Sequence, residues 1–235
     1  MKVTLVVTTC GRTDLLELTL KSFFKFNTYP IEKTIIIEDS GIPQDFSNIK
    51  QIVKTPLEII VNPTNLGQIK SIDIAYSKVE TEYIFHCEED WEFYNPGFIE
   101  KSFEILNDND KIITVWLRSY NEKKVRPRID ISTSYALTES NDYYYLIALH
   151  PGKIWQAGFT FNPGLRRTKD AMIFHPYSDQ KVHFIKSGLS LIGEMDLMVH
   201  YREAGYRAAI TSNEDGYMKH IGRHRHVALP WEQEN

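Results

Sequence analysis

The sequence predicts an α/β protein with a mixed, mostly parallel central sheet flanked by helices and folded as a single domain. Three observations lead there. Over the first ninety residues short apolar runs alternate with stretches of helical periodicity, and polar turn residues follow each apolar run. Beyond them no internal repeat, low-complexity tract or clean boundary divides the chain.

Val3 to Val7 is a continuous apolar run of the kind expected of a strand buried on both faces. A helix follows, with Thr13 or Asp14 as cap, Glu17 three residues on as in a capping box, and Leu16, Leu20, Phe23 and Phe24 on one stripe. Tyr29-Pro30 ends it. Ile35 to Ile37 and Leu57 to Val61 are the next strands, the second stopped by Asn62-Pro63. After the turn Asn65-Leu66-Gly67, Ile69, Ile72, Tyr76 and Val79 recur at helical spacing, and Tyr83 to Phe85 reads as a fourth strand. Asn95-Pro96 is a helix start for Phe98 to Leu106, with Asn95 as cap, and Lys111 to Leu117 is a strand. Residues 119–141, with Arg126 and Arg128, are polar and irregular and read as a long surface loop or flap. Tyr143 to Ile147 and Trp155 to Phe161 are β-rich, Asp196 to Ala204 is a helix stopped by Gly205, and Arg207 to Thr211 is a closing strand.

Composition narrows the function classes. The 235 residues carry 27 basic and 31 acidic side chains, a formal net charge of -4, which disfavours a chain built to neutralise nucleic-acid phosphates. Cys10 and Cys87 lie too far apart for a paired zinc motif and are too few for a disulfide framework, so a reducing compartment is expected. The N-terminal apolar run is too short for a signal-peptide core, and no window has the length of a membrane span. A soluble cytoplasmic protein, or one peripheral at a membrane surface, is expected. No Gly-x-Gly-x-x-Gly follows the first strand and no Gly-Lys-Ser/Thr occurs, which disfavours dinucleotide enzymes and phosphate-loop NTPases.

In an open parallel sheet ligands bind beyond the carboxyl ends of the strands, so the residues after each strand are the first candidates. They are Thr8-Thr9-Cys10-Gly11-Arg12, Glu38-Asp39-Ser40-Gly41, Asn65-Leu66-Gly67 and Glu88-Glu89-Asp90. A carboxylate beside a small turn residue can bond a base or ribose, and the triple acidic run can hold a hard cation. Taken singly, each is also what an acidic surface loop looks like.

Taken in order, the four turns resemble those of family 2 glycosyltransferases of the GT-A, Rossmann-like fold, which move a sugar from a nucleotide-diphosphate donor to an acceptor hydroxyl. Val6 to Arg12 is similar to the first nucleotide-binding strand and turn, and Ile37 to Gly41 to the base-reading Asp-Asp-Gly-Ser turn. Asn65-Leu66-Gly67 matches an Asn-x-Gly turn, and Tyr83 to Phe93 resembles the segment ending in the Asp-x-Asp metal motif, with Glu88 in place of the first acid. The resemblance implies a nucleotide-sugar half over 1–92 and an acceptor and catalytic half over 93–235. It assigns Thr8, Thr9, Arg12, Glu38, Asp39, Asn65, Gly67, Glu88 and Glu89 to the nucleotide sugar, UDP by default, and Asp90 with His220 to Mn²⁺ or Mg²⁺.

Gly193 to Leu197, followed by Arg202 to Arg207, is similar to the family's acidic motif and the helix behind it, and registers Glu194 with the catalytic base. Gly193-Glu194 stands where the family has Glu-Asp, so Asp196 is a second candidate, and both acids would also suit a helix N-terminus. His220 sits in a His-x-Gly setting that resembles a late metal-binding histidine, while His86, His175 and His200 read as ordinary half-buried side chains. Arg223, His224 and Arg225 could neutralise a diphosphate, although His224 and His226 equally suit a frayed basic tail. Trp91, Trp155, Tyr177 and Tyr143 to Tyr145 are candidates for stacking on sugar rings, or core. The expected partners are a nucleotide-diphosphate sugar and a glycan or lipid-linked acceptor, with no nucleic acid. The alternatives are a sugar-phosphate nucleotidyltransferase, whose Gly-rich basic signature after strand one is missing, and a GT-A-like binding domain without catalysis.

Overall fold

The computed structural model describes residues 1–119, 135–137, 143–146, 159–180, 185–186, 189–190 and 194–222. Strand β1 (Val3–Thr9) is buried along its whole length. Its side chains alternate between two cores: Val3, Leu5 and Val7 join Leu16, Leu20 and Phe23 on one face, while Val6 joins Ile69, Ile72 and Tyr201 on the other. That double burial is why the run is apolar without alternation.

Helix α1 (Thr13–Phe26) lies on the first face and buries Leu15, Leu16, Thr19, Leu20 and Phe23. Parallel strands β2 (Lys33–Glu38) and β3 (Leu57–Val61) extend the sheet on one side of β1, and β4 (Tyr83–Glu88) extends it on the other. Short α2 (Ser47–Ile52) and α3 (Gln68–Tyr76) connect them. Among the described residues the main sheet has the order β3-β2-β1-β4-β9, closed by antiparallel β9 (Gly164–Arg167).

After β4 the chain forms β5 (Trp91–Phe93), α4 (Phe98–Asp108) and β6 (Ile112–Trp116). A second sheet has the order β6-β12-β8-β7, from β7 (Tyr135–Leu137), β8 (Tyr143–Leu146) and β12 (Arg207–Thr211). Short α5 (Thr168–Ala171) follows β9, β10 (Ile185–Lys186) pairs with β11 (Leu189–Ser190), and α6 (Glu194–Glu203) precedes the φ +84° turn at Gly205. Finally β13 (Met218–His220) pairs antiparallel with β5, setting His220 opposite Trp91.

Several local expectations are corrected. Thr13 and Asp14 lie inside α1, whose N-cap is Arg12 with no side-chain cap. Asn95 does not cap α4: Gly97, at φ +84°, does, and the Asn95 amide donates to the Gly216 carbonyl at 2.7 Å. Part of the 119–141 stretch is strand β7, while Arg126 and Arg128 fall outside the described residues. Phe159 to Phe161 is buried but not a strand, and Trp155 lies outside the described residues. Trp91, Tyr143 and Tyr177 are core residues, so they do not present faces to a sugar.

Candidate active site

The turns after β1, β2, β4 and the one before α3 converge at the carboxyl end of the sheet, and buried carboxylates tie them together. Glu38 ends β2 and accepts hydrogen bonds from the backbone amides of Gly11, at 2.9 Å, and Ser40, at 2.6 Å. Asp39 accepts from Asn62 Nδ2, Leu66 N and Gly67 N, each at 2.8 Å. One side chain thus holds the end of β3 and the whole 65–67 turn. Gly41 has φ +70°, and a Cβ there would stand 2.8 Å from Thr64 Cα, so the β2 turn fits against that segment only as glycine.

Arg12 reaches from the β1 turn to the acidic run. Its Nε donates to Glu89 Oε1 at 2.8 Å, and its Nη2 lies 2.8 Å from the same oxygen and 3.1 Å from Asp90 Oδ2. Cys10 N also donates to Glu89, at 3.2 Å. Burial and the surrounding carboxylates of Glu38, Asp39 and Glu89 push the Cys10 thiol up to about 11, so it stays protonated. Thr8 and Thr9 are buried at the strand end, and the Thr9 hydroxyl has no hydrogen-bond partner among the described residues. Asn65 donates to Cys10 Sγ at 3.6 Å.

Two devices fix Asp90. The hydroxyl of Thr19, on the buried stripe of α1, donates to the Glu89 carbonyl and accepts from Trp91 N, clamping the backbone on both sides of Asp90. From the other direction the β5–β13 pairing brings His220 Nε2 to 3.2 Å from Asp90 Oδ2, with Ile221 N donating to the Asp90 carbonyl at 2.8 Å. Gly222 lies directly on the carboxylate, and a Cβ there would fall 2.2 Å from Oδ2. Burial opposes ionisation of Asp90, but the His220 hydrogen bond and the charges of His220 and Arg12 outweigh it and hold the pKa below its usual value. The polar residue on an otherwise apolar helix stripe was the available signal for Thr19.

Glu88 accepts from Gln68 Nε2 at 2.9 Å and from Trp91 Nε1 at 3.2 Å. Burial first, then the charges of Asp90, Glu194 and Glu89, push its pKa up to about 8, so it is mostly protonated at neutral pH. The charge of Glu194 reaches Glu88 although it lies more than a hundred residues away in sequence. It starts α6, is partly exposed, and its Oε1 accepts from Phe161 N at 3.3 Å. Asp196, in the same turn, is buried. His86 and His175 are buried or nearly so and bonded within the core, to Tyr76 and the Asp73 carbonyl. Gly193, Arg223, His224, Arg225 and His226 lie outside the described residues.

Among the described residues no group of three or more His, Cys, Asp or Glu side chains is arranged to hold a metal ion. The pair Asp90 and His220 nevertheless fits Mn²⁺ or Mg²⁺, which need few protein ligands when substrate phosphates and water complete the shell. Asp90 Oδ2 and His220 Nε2 stand 3.2 Å apart, and Gly222 leaves no side chain beside the carboxylate.

The parallel sheet with an acidic carboxyl end defines a GT-A fold, and comparison with solved structures agrees. The chain superposes on a mannosyltransferase, PcManGT from Pyrobaculum calidifontis in complex with GDP-Man and Mn²⁺, with a TM-score of 0.62 at 12% identity, over 90% of this chain and 55% of that one. S. aureus TarS 1-349 in complex with UDP-GlcNAc gives 0.61 at 14% identity, over 97% of this chain and 62% of that one. The chain therefore spans less than two thirds of either structure. No curated protein matches it in sequence. The family profile described as glycosyl transferase family 2 matches residues 4–174, and the chain belongs to that family. No helix among the described residues is long and apolar enough to cross a membrane.

Proposed function

We propose that the chain is a metal-dependent, inverting glycosyltransferase that moves a sugar from a nucleotide-diphosphate donor to an acceptor hydroxyl on a glycan or glycolipid. The observation that carries this reading is the gathering of the β1, β2 and β4 turns at the carboxyl end of the sheet, with Arg12 and His220 Nε2 both on Asp90 Oδ2, in a chain that matches glycosyl transferase family 2 over residues 4–174. A displacement at an anomeric carbon uses a carboxylate base on the acceptor side and a cation on the phosphate side.

Glu194 takes the acceptor proton while the hydroxyl oxygen attacks the anomeric carbon, and the bond to the diphosphate breaks on the opposite face. Its partial exposure suits that role. Asp196, buried in the first turn of α6, serves the helix instead. The β1 turn with Arg12 and the 65–67 turn line the nucleotide side, and Glu38 and Asp39 contribute by holding those turns in place. Asp90 and His220 would hold the divalent cation, which when bound offsets negative charge gathering on the leaving diphosphate. UDP and GDP, carried by the donors in the two structural neighbours, are the first nucleotides to test. A site within the cytoplasm, or at its membrane surface for a lipid-linked acceptor, is compatible with this reading.

The test is release of nucleoside diphosphate from a panel of sugar nucleotides with glycan and glycolipid acceptors. Glu194→Gln should lower turnover by about 10³-fold, as loss of a general base does, while Asp196→Asn stays active. Full turnover in Glu194→Gln would overturn the assignment of the base.

A further inference from the structure

Arg166 is buried at the centre of the molecule with none of its hydrogen bonds reaching a carboxylate among the described residues. Its neighbour Arg167 is conventional, paired with Asp170 at 3.0 Å. Arg166 instead donates through Nη1 to the Tyr76 hydroxyl at 2.7 Å, and through Nη2 to the carbonyls of Thr160 and, at 3.4 Å, Asn162. The guanidinium lies over the rings of Phe159 and Phe161, 4.8 and 5.6 Å from their centroids. Burying a cation without a counter-charge costs stability that an aliphatic side chain would not.

What the arginine orders is the segment 159–162. It holds the carbonyls on either side of Phe161, and the amide between them, Phe161 N–H, donates to Glu194 Oε1 at 3.3 Å. Arg166 stands on β9, so this contact ties the segment that leads into the main sheet to the carboxylate at the start of α6. We infer that Arg166 is a positioning residue for Glu194: by fixing the Thr160 and Asn162 carbonyls it aims the Phe161 amide, and so sets the orientation of the carboxylate that takes the acceptor proton. The inference rests on the proposed role of Glu194 as base. Arg166 is fully buried, so its effect falls on turnover and not on donor affinity.

The experiment is a double-mutant cycle between Arg166→Lys and Glu194→Gln on the full chain. It measures nucleoside diphosphate release alongside the calorimetric Kd of the donor's nucleoside diphosphate. Arg166→Lys alone should lower kcat by about 10²-fold, the scale of a small misplacement of a catalytic group, with donor KM and Kd unchanged. In the Glu194→Gln background the same substitution should change kcat by less than about twofold, because a residue acting through Glu194 has nothing left to act on. An equal loss in both backgrounds would mean a general structural role and would overturn the inference. Wild-type kcat in Arg166→Lys would overturn it as well. Full activity of Glu194→Gln by itself would instead remove the base assignment beneath it. If Arg166→Lys does not fold, replacing the Phe161 amide by an ester deletes the N–H and keeps the ring. That variant should show the same selective loss of kcat, and an unchanged kcat would overturn the inference.

Discussion

The two ends of the candidate site are built differently. On the donor side Asp90 is held from four directions, by Arg12, Thr19, His220 and the backbone at Ile221 and Gly222. On the other side the Phe161 amide, itself ordered by a buried arginine, donates to Glu194. Asp90 is thus fixed by redundant, short-range contacts. The Phe161–Glu194 contact runs through a backbone amide of a connecting segment, whereas Asp90 meets the charged side chain of Arg12 directly.

Breaking the donor end should cost folding free energy as well as binding, and the largest effect is expected at Arg12. Arg12→Met leaves Glu89 and Asp90 buried without their shared counter-charge and should lower the unfolding free energy in urea by about 3 kcal/mol or more. A loss below about 1 kcal/mol would place that ion pair among exposed ones. Thr19→Val keeps the shape of the side chain but strips the acceptor from Trp91 N and the donor from the Glu89 carbonyl. Two buried backbone groups lose partners, and about 2 kcal/mol should be lost in the same denaturation series.

The core behind the base makes a prediction about pH. Burial first, and the nearby charge of Arg166 second, hold the His86 pKa well below its usual 6.5. The unfolded chain therefore takes up a proton below about pH 6.5 that the folded chain refuses, and stability falls as pH falls, by up to about 1.4 kcal/mol per unit for this one group. Urea unfolding between pH 7.5 and 5.5 should show that slope in the wild type and a shallower one in His86→Phe. An identical slope in both would mean that His86 ionises freely in the fold. The smallest effect belongs to the exposed pair Lys21–Glu17 on α1, 3.1 Å apart: Lys21→Ala should cost no more than about 0.5 kcal/mol. A larger loss would erase the contrast between the site and its periphery.

The same contrast explains what was legible in the sequence. The strands β1 to β4 and the turns after them were readable because each is local: an apolar run, then a polar turn, with the fold doing the rest. Glu194 was reached only through the resemblance of the surrounding motif, since its contact with Phe161 joins residues that no periodicity connects. Strand β9 was hidden by its composition, Gly-Leu-Arg-Arg, whose two arginines are buried only because tertiary partners accept them. Strands β5 and β13 are three residues each, too short to show alternation, and their pairing is what brings His220 to Asp90. Asn95 looked like a cap because its side chain can bond a helix amide, but Gly216 offered it a carbonyl. Helix α2 carries little hydrophobic periodicity because only Ile49 of its residues is buried.

The most direct test is calorimetric titration of UDP, GDP, dTDP and CDP into the protein with Mn²⁺ and then with EDTA, in the wild type and in Asp90→Asn. Tight binding of one diphosphate with Mn²⁺, weakened by EDTA and by Asp90→Asn, is the predicted result. Failure of every diphosphate to bind, or binding indifferent to both metal and Asp90, would contradict a donor site built around Asp90 and His220.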